Sequence, residues 1–190
     1  MVRRRSDWLV LNSIVGLLDA GVTTAPNSYE SIATYTVSGS STTSVSFDLA
    51  SVSGYKHLQI RGILKASGGT WLGLQYNSDS TYTNYRSHQL EGDGSSAYAA
   101  QFQSSGQTGV LGFCGSGQIM PLVIDVLDFT NTSKNTTTRT LQGYDANGSG
   151  LMRLASSVWL NTNAVTYITL QANYGAFDVY SQFALYGIKG

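Results

Sequence analysis

From Ile32 onward, apolar residues recur at every second position in short runs, and those runs are broken by Gly, Ser, Asn and Asp. No segment after Leu18 sustains a 3.6-residue period. A period of two puts alternate side chains on opposite faces of an extended backbone, so this pattern specifies half-buried strands and excludes a helical body. The runs span residues 32–37, 44–49, 57–65, 70–76, 82–89, 98–103, 109–114, 118–128, 136–142, 151–159, 165–172 and 180–189. In the third, Leu58, Ile60 and Leu64 share one face. In the eighth, Leu122, Ile124 and Val126 point inward with Asp125 opposite them, and Pro121 pushes the start of that strand toward an edge or a bulge. Gly92-Asp93-Gly94-Ser95-Ser96 and Asp145-Ala146-Asn147-Gly148 are hairpin connections, because Asn and Gly tolerate positive φ. Many short strands joined by tight turns predict an all-β chain, an antiparallel sandwich or jelly roll. No internal repeat points to a propeller or β-helix.

The N-terminal thirty residues read differently. Arg3-Arg4-Arg5 precede Ser6-Asp7, a helix cap, and then Trp8, Leu11, Val15 and Leu18 recur at spacings of three, four and three, with Ile14 and Leu17 widening the stripe. A helix of about 12 residues is marginal alone in water, so its apolar face requires cover. The same helix from neighbouring subunits, a partner protein or the chain's own sheet could supply it. The competing reading is a signal peptide, with small residues around Ala20-Gly21; the chain carries the segment from Met1, and the expectation is that it is retained. The run is too short for a membrane-spanning helix, so no membrane insertion is expected. Asp19 to Ser31 reads as a linker, with Gly21, Pro26 and Asn27 breaking any period. The resulting organisation is an anchoring and assembly arm with its linker over 1–30, helical or extended, and a β-sandwich over 31–190. Trp8, Leu11, Ile14, Val15 and Leu18 are the anchoring or oligomerisation residues.

Composition narrows the functional classes. Charged residues make up only 12% of the chain and the formal net charge is zero, against the roughly 25% charged residues of an average domain. Nucleic acid is therefore not expected as a partner, since phosphate binding needs a concentrated basic patch. The single cysteine, Cys114, excludes an intramolecular disulfide framework and reads as a small buried hydrophobe. A surface of hydroxyls and amides, with 12 tyrosines and 21 glycines, suits a particle-surface or extracellular β-protein.

Several stretches occur together in order. They are Val45-Ser46-Phe47, the run Gly54-Tyr55-Lys56-His57-Leu58-Gln59-Ile60-Arg61, and Gln75-Tyr76-Asn77-Ser78-Asp79-Ser80 with Tyr82 and Tyr85. Gly92-Asp93-Gly94-Ser95-Ser96, the run from Ile124 to Lys134 and the run from Trp159 to Leu170 follow, and Phe183-Ala184-Leu185-Tyr186-Gly187-Ile188-Lys189 closes the chain as a final paired strand. Across roughly Ser44 to Gly190 the chain resembles a family of small virion structural proteins of tailed bacteriophages, found alone or as terminal domains of tail-fibre-like chains. The resemblance implies a β-sandwich on the phage particle and brings no catalytic residues. Residues 1–30 and 99–117 lie outside it.

Side-chain constellations for chemistry are weak. His57 and His88 lack a nucleophile elbow, and Gly115-Ser116-Gly117 and Gly148-Ser149-Gly150 read as turns. His57 is expected at a strand start with its ring hydrogen-bonded. Asp125 and Asp128 do not share a strand face as a glycosidase pair would, so Asp128 reads as a turn residue and Asp125 as the partner of an arginine or a backbone donor. Asp79 and Asp93 lie in loops too poor in acids for a calcium site. No catalytic residue, metal or cofactor is assigned. Tyrosines too numerous for a core are expected partly outside, and Tyr82, Tyr85, Tyr98 and Tyr174 are the candidate surface contacts, for a subunit interface ahead of a glycan.

The expectation is thus a non-enzymatic structural protein on the surface of a phage virion, a short tail-fibre-like appendage anchored by its arm. Its partners would be itself, as a homotrimer, a tail, baseplate or major capsid protein, and a host-surface glycan. A capsid decoration (cement) protein is the first alternative, and a soluble carbohydrate-binding module the second.

Overall fold

Alternation of buried and exposed side chains along each run is what the backbone delivers. In the computed structural model, which describes residues 29–102 and 107–189, the chain forms twelve strands and a single 3-10 turn at Tyr82–Asn84. The strands are β1 (Tyr29–Thr36), β2 (Ser44–Asp48), β3 (His57–Lys65), β4 (Thr70–Tyr76), β5 (Tyr85–Gly92) and β6 (Ala97–Phe102). They continue as β7 (Gly112–Cys114), β8 (Ile119–Leu127), β9 (Thr136–Asp145), β10 (Gly150–Trp159), β11 (Tyr167–Ala172) and β12 (Gln182–Ile188).

Two antiparallel sheets result, one of eight strands in the order β1-β12-β3-β8-β9-β10-β5-β6 and one of four in the order β2-β11-β4-β7. Without the hairpins β5–β6 and β9–β10, what remains is β1-β12-β3-β8 facing β2-β11-β4-β7, with the chain crossing repeatedly between the layers. That is the eight-strand, double-Greek-key arrangement of a jelly roll. The two hairpins are insertions, one between β4 and β7 and one between β8 and β11, and both extend the same edge of the larger sheet.

The core lies between the layers of the jelly roll. Leu58, Ile60 and Leu64 of β3, Leu122, Ile124 and Val126 of β8, and Phe183 and Leu185 of β12 face Val45, Phe47, Leu72, Leu74, Ile168 and Leu170 of the smaller sheet. Each such side chain contributes about 1.5–3 kcal/mol when fully removed from water. From the inserted hairpins only Tyr85 and Trp159, both at their base, join the described core.

Five local expectations change. The run from Tyr82 begins as the 3-10 turn, because Asp79 accepts from the Thr81 amide (3.0 Å) and from Asn84 Nδ2 (2.8 Å), closing a tight turn before the strand starts. The run 109–114 is a strand only over Gly112–Cys114; ahead of it the chain makes single bonds to β4, Leu74 N to Gly109 O and Leu111 N to Leu72 O. Tyr29–Ser31, read as the end of a linker, already pair with Tyr186–Ile188 of β12. Pro121 lies in a central strand, yet its pairing is with Ile63 of β3 and the β9 ladder starts one residue later, so its missing N–H breaks no pairing on that side. Finally, Tyr85 is 3% exposed and is a core residue, not a surface contact. The register of β5 turns it inward, where its hydroxyl donates to Asp79 O (3.0 Å) and accepts from Tyr76 N (3.0 Å). The arm residues Trp8, Leu11, Ile14, Val15 and Leu18 lie outside the described residues.

Candidate interaction face

Because the strands are in register, outward side chains line up in rows across the larger sheet. One row reads Thr34, Ala184, Arg61, Val123, Leu141, Leu154, Leu90, Ala99, one residue from each of the eight strands. From β8 to β6 it is wholly apolar. The next row toward the hairpin tips carries Ile63 and Pro121, then Met152, Gly92 and Ala97, and Ile119 follows beside Lys65. On the other flank the row Tyr186, Gln59, Asp125, Arg139, Ser156, His88, Gln101 is polar.

The apolar rows are open to solvent: exposure runs from 43% for Leu154 through 51% for Leu141 and 60% for Leu90 to 65% for Met152. Six large side chains (Ile63, Leu90, Ile119, Leu141, Met152 and Leu154) at about half exposure amount to roughly 600 Å², the upper end of what a monomeric protein leaves uncovered. Gly143 sits in this field between Pro121 and Met152 and has no side chain to fill it. The result is a groove of about 470 Å³ lined by Pro121, Val123, Leu141, Gly143, Tyr144 and Met152. Tyr180, 84% exposed and held at φ 74°, stands beside Ile63 and Ile119 at the neighbouring cleft. A non-glycine residue in the left-handed region is uncommon, and it projects the ring outward here.

The inner face of the same hairpins is polar. Thr136, Thr138, Thr140 and Gln142 of β9, Arg153 and Ser157 of β10, and Ser87 and Gln89 of β5 are all buried. Arg153 Nε donates to Glu91 Oε2 (2.8 Å), and its guanidinium lies 5.0 Å over the Trp71 ring, which also packs against Phe102 and Phe113 at 5.3 and 5.1 Å. Ser87 donates to Ser157 (3.0 Å), and Tyr76 and Thr138 share a short hydroxyl contact. Burial pushes the Tyr76 phenol far up, so it stays neutral as donor or acceptor.

Elsewhere the chemistry-bearing residues are accounted for by structure. Asp125 accepts from Arg139 (3.0 Å) and Gln59 (2.8 Å). His57 Nδ1 accepts from the Asp128 amide (2.9 Å) at the start of β3, and Asp128, at φ 50°, opens a turn with its carboxylate on Lys134. Asp79 would be raised by burial, but bonds from Trp159 Nε1 (2.8 Å), Asn84 and Thr81 outweigh that and hold its carboxyl below the usual range. Cys114 is buried, and desolvation pushes its thiol up to about 11. Among the described residues no group of three or more His, Cys, Asp or Glu could hold a metal ion, and no helix is long and apolar enough to cross a membrane.

Of the tyrosines singled out in the sequence, Tyr82, Tyr98 and Tyr174 are exposed but sit on three separate elements, the 3-10 turn, β6 and the loop after β11, and none belongs to the apolar rows. Sequence reasoning missed Leu90, Leu141, Met152, Leu154 and Tyr180. The first four alternate with Ser, Thr, Gln and Arg on their strands, so the pattern marks two faces without saying which is inside. The chain matches no family model, no curated protein and no solved structure.

Proposed function

We propose that this chain is a non-enzymatic structural protein of a tailed-phage virion, a surface β-sandwich forming a short tail-fibre-like appendage. Residues 1–30 anchor it to a tail, baseplate or major capsid protein, and it works as a homotrimer. One observation carries this reading. The outer face of the inserted hairpins is apolar over an area that a free-standing sandwich would cover with polar side chains, and such a face marks an assembly surface. The resemblance of residues 44–190 to tailed-phage structural proteins supports it. The jelly-roll topology is compatible, being common to viral shells and lectins, and a fold alone assigns no function.

Gold-conjugated antibody against residues 31–190, applied to purified particles of the phage that encodes the chain, tests the proposal. Label confined to the tail or its tip is the expected result. Label spread over the head would make the chain a capsid decoration protein, with the apolar face seated on the shell. Absence of label overturns the virion reading and makes glycan binding by the sandwich, as a soluble module, the next measurement.

A further inference from the structure

We propose that the apolar rows on the larger sheet are the seat of residues 8–18 of a neighbouring copy of this chain, so that the subunits are joined by exchanged N-terminal segments. The inference rests on the homotrimer of the preceding section and names the contact that builds it.

Dimensions come first. Read as a helix, Trp8 to Leu18 spans about 15 Å. The row from Val123 on β8 to Leu90 on β5 crosses three strand spacings, about 14 Å. Each is one apolar stripe of matching length. The area also fits. Roughly 600 Å² is short of the ~800 Å² per partner that two sheets need for a stable face-to-face pair, but it suits one short helix presenting Trp8, Leu11, Val15 and Leu18.

The place where the described chain begins selects a neighbour over the chain's own sheet. Tyr29 pairs with Ile188, and β1 runs from there toward Thr36, whose row contains Ile63. β1 therefore begins at the end of the sheet remote from Ile63 and Met152. It is also the edge strand opposite the inserted hairpins. To dock on its own sheet the segment would have to reverse direction and cross Arg61, which is stacked between Tyr29 and Tyr186 at 5.4 and 5.1 Å. Residues 19–28 extend to about 33 Å, which leaves an adjacent subunit within reach.

Charge agrees. The tips of both inserted hairpins border the apolar rows and carry Asp93 and Asp145. Asp93 Oδ1 accepts from the Ser95 and Ser96 amides (2.8 and 2.7 Å) and Asp145 Oδ1 from Asn147 N (2.7 Å). That leaves the second oxygen of each for Arg3-Arg4-Arg5, which stand ahead of Trp8 in the sequence, separated from it by Ser6-Asp7.

The test uses the full chain. Leu11→Cys and Leu141→Cys are placed in two differently sized tagged copies, co-expressed, and oxidised; the native Cys114 is buried and stays out of the reaction. The expected product is a disulfide between the two tagged chains, in a species of trimer mass by light scattering. In a Leu11→Asp/Val15→Asp chain that retains its β-sheet circular dichroism, both the link and the trimer should be lost. A Leu141→Asp chain that retains its β-sheet circular dichroism should lose the trimer equally, since Leu141 lies on the outer face and outside the core cluster. A link formed only within one chain carrying both cysteines, a trimer without the link, or a monomer overturns the proposal. Failure here removes the exchanged arm and leaves the labelling of particles unaffected; unlabelled particles with the link intact remove the virion reading alone.

Discussion

Three threonines on the inner face of β9 should respond to the same substitution with opposite signs. Thr136, Thr138 and Thr140 are 2%, 0% and 0% exposed. Thr138 Oγ1 bonds the hydroxyl of Tyr76, itself fully buried, whereas Thr136 Oγ1 and Thr140 Oγ1 have no partner. Thr→Val keeps the branched shape and the strand preference, so the hydroxyl is nearly the only variable. At Thr140 the new methyl lies between Ile124 and Ala155 across the neighbouring strands. Removing a buried hydroxyl that lacks a hydrogen bond recovers its desolvation penalty, about 1–3 kcal/mol in protein mutational data. For a domain of this size that raises Tm by roughly 2–4 °C per kcal/mol. At Thr138 the same change strands the Tyr76 hydroxyl and costs about 1–3 kcal/mol, while Thr138→Val with Tyr76→Phe removes both partners and is expected near neutral. Urea titration with an unchanged m-value reads all three. If Thr140→Val destabilises, or Thr138→Val does not, the hydrogen-bond accounting of this interior is wrong.

Asp79→Ala should cost about 2–3 kcal/mol by urea titration, because it leaves the indole N–H of Trp159, 2% exposed, without its charged acceptor; an equal loss in a Trp159→Phe background would refute that coupling. Gly187→Ala would put a Cβ 2.4 Å from the Tyr55 ring, which is tethered by its hydroxyl to Glu30 (2.6 Å), so a Tm loss corresponding to about 1–3 kcal/mol is expected, with partial rescue by Tyr55→Ser. The carboxyls of Asp79, Asp93, Asp128 and Glu30 are all held below their ordinary values: Asp79 by bonds that outweigh its burial, Asp93 by the Ser95 and Ser96 amides, Asp128 by Lys134 and Glu30 by Lys189 and Tyr55. Their contribution is complete above pH ~5 and is lost as pH falls through the folded-state values, so the urea midpoint should drop below that pH, and a flat acid limb would contradict the assignment. Hydrogen exchange should show β5, β6, β9 and β10 opening more readily than β3 and β8 when the subunits are dissociated by dilution; equal protection in both would refute a role for assembly in holding the hairpins.

The jelly roll was legible because its strands obey one rule, apolar toward the core and polar away. Leu58, Ile60 and Leu64, and Leu122, Ile124 and Val126, face inward as alternation predicts. The bounds of β3 and β4 match the sequence runs at both ends. The hairpin tips were equally readable, since Asn147 and Gly148 adopt φ of 58° and 106° and Asp93 caps its own turn. What alternation cannot supply is the sign of the pattern on a strand whose two faces are differently apolar. A one-residue change of register exchanges the faces, and register is decided by the partner strand, not by the strand itself. Tyr85 went inside and Leu90 outside for that reason. Tyr180 was unreadable on another ground: beside the local turn bond from Ser181 N to Asp178 O, its left-handed backbone is held by Tyr180 N to Val37 O, which joins segments far apart in sequence.

The inverted patterning of the inserted hairpins is the part of the molecule that folding alone does not explain. β9 and β10 could have buried Leu141, Met152 and Leu154 against the smaller sheet and exposed their threonines, glutamine and arginine. Instead the polar set is inside, where each group needs a partner, and two of the hydroxyls have none. The smaller sheet ends at β7, whose backbone at Gly112 lies directly against Gln142, so among the described residues that sheet offers no further strand for β10 and β5 to pack on. The interior is closed instead by Arg153, Glu91 and Trp71, an arrangement whose gain over a hydrophobic one is small or negative. The outer face then holds Leu90, Leu141, Met152 and Leu154 together and exposed. Stability that the hairpins forgo in the isolated subunit is therefore recoverable only when that face is covered, which ties the two insertions to association and leaves the jelly roll beneath them to fold on its own core.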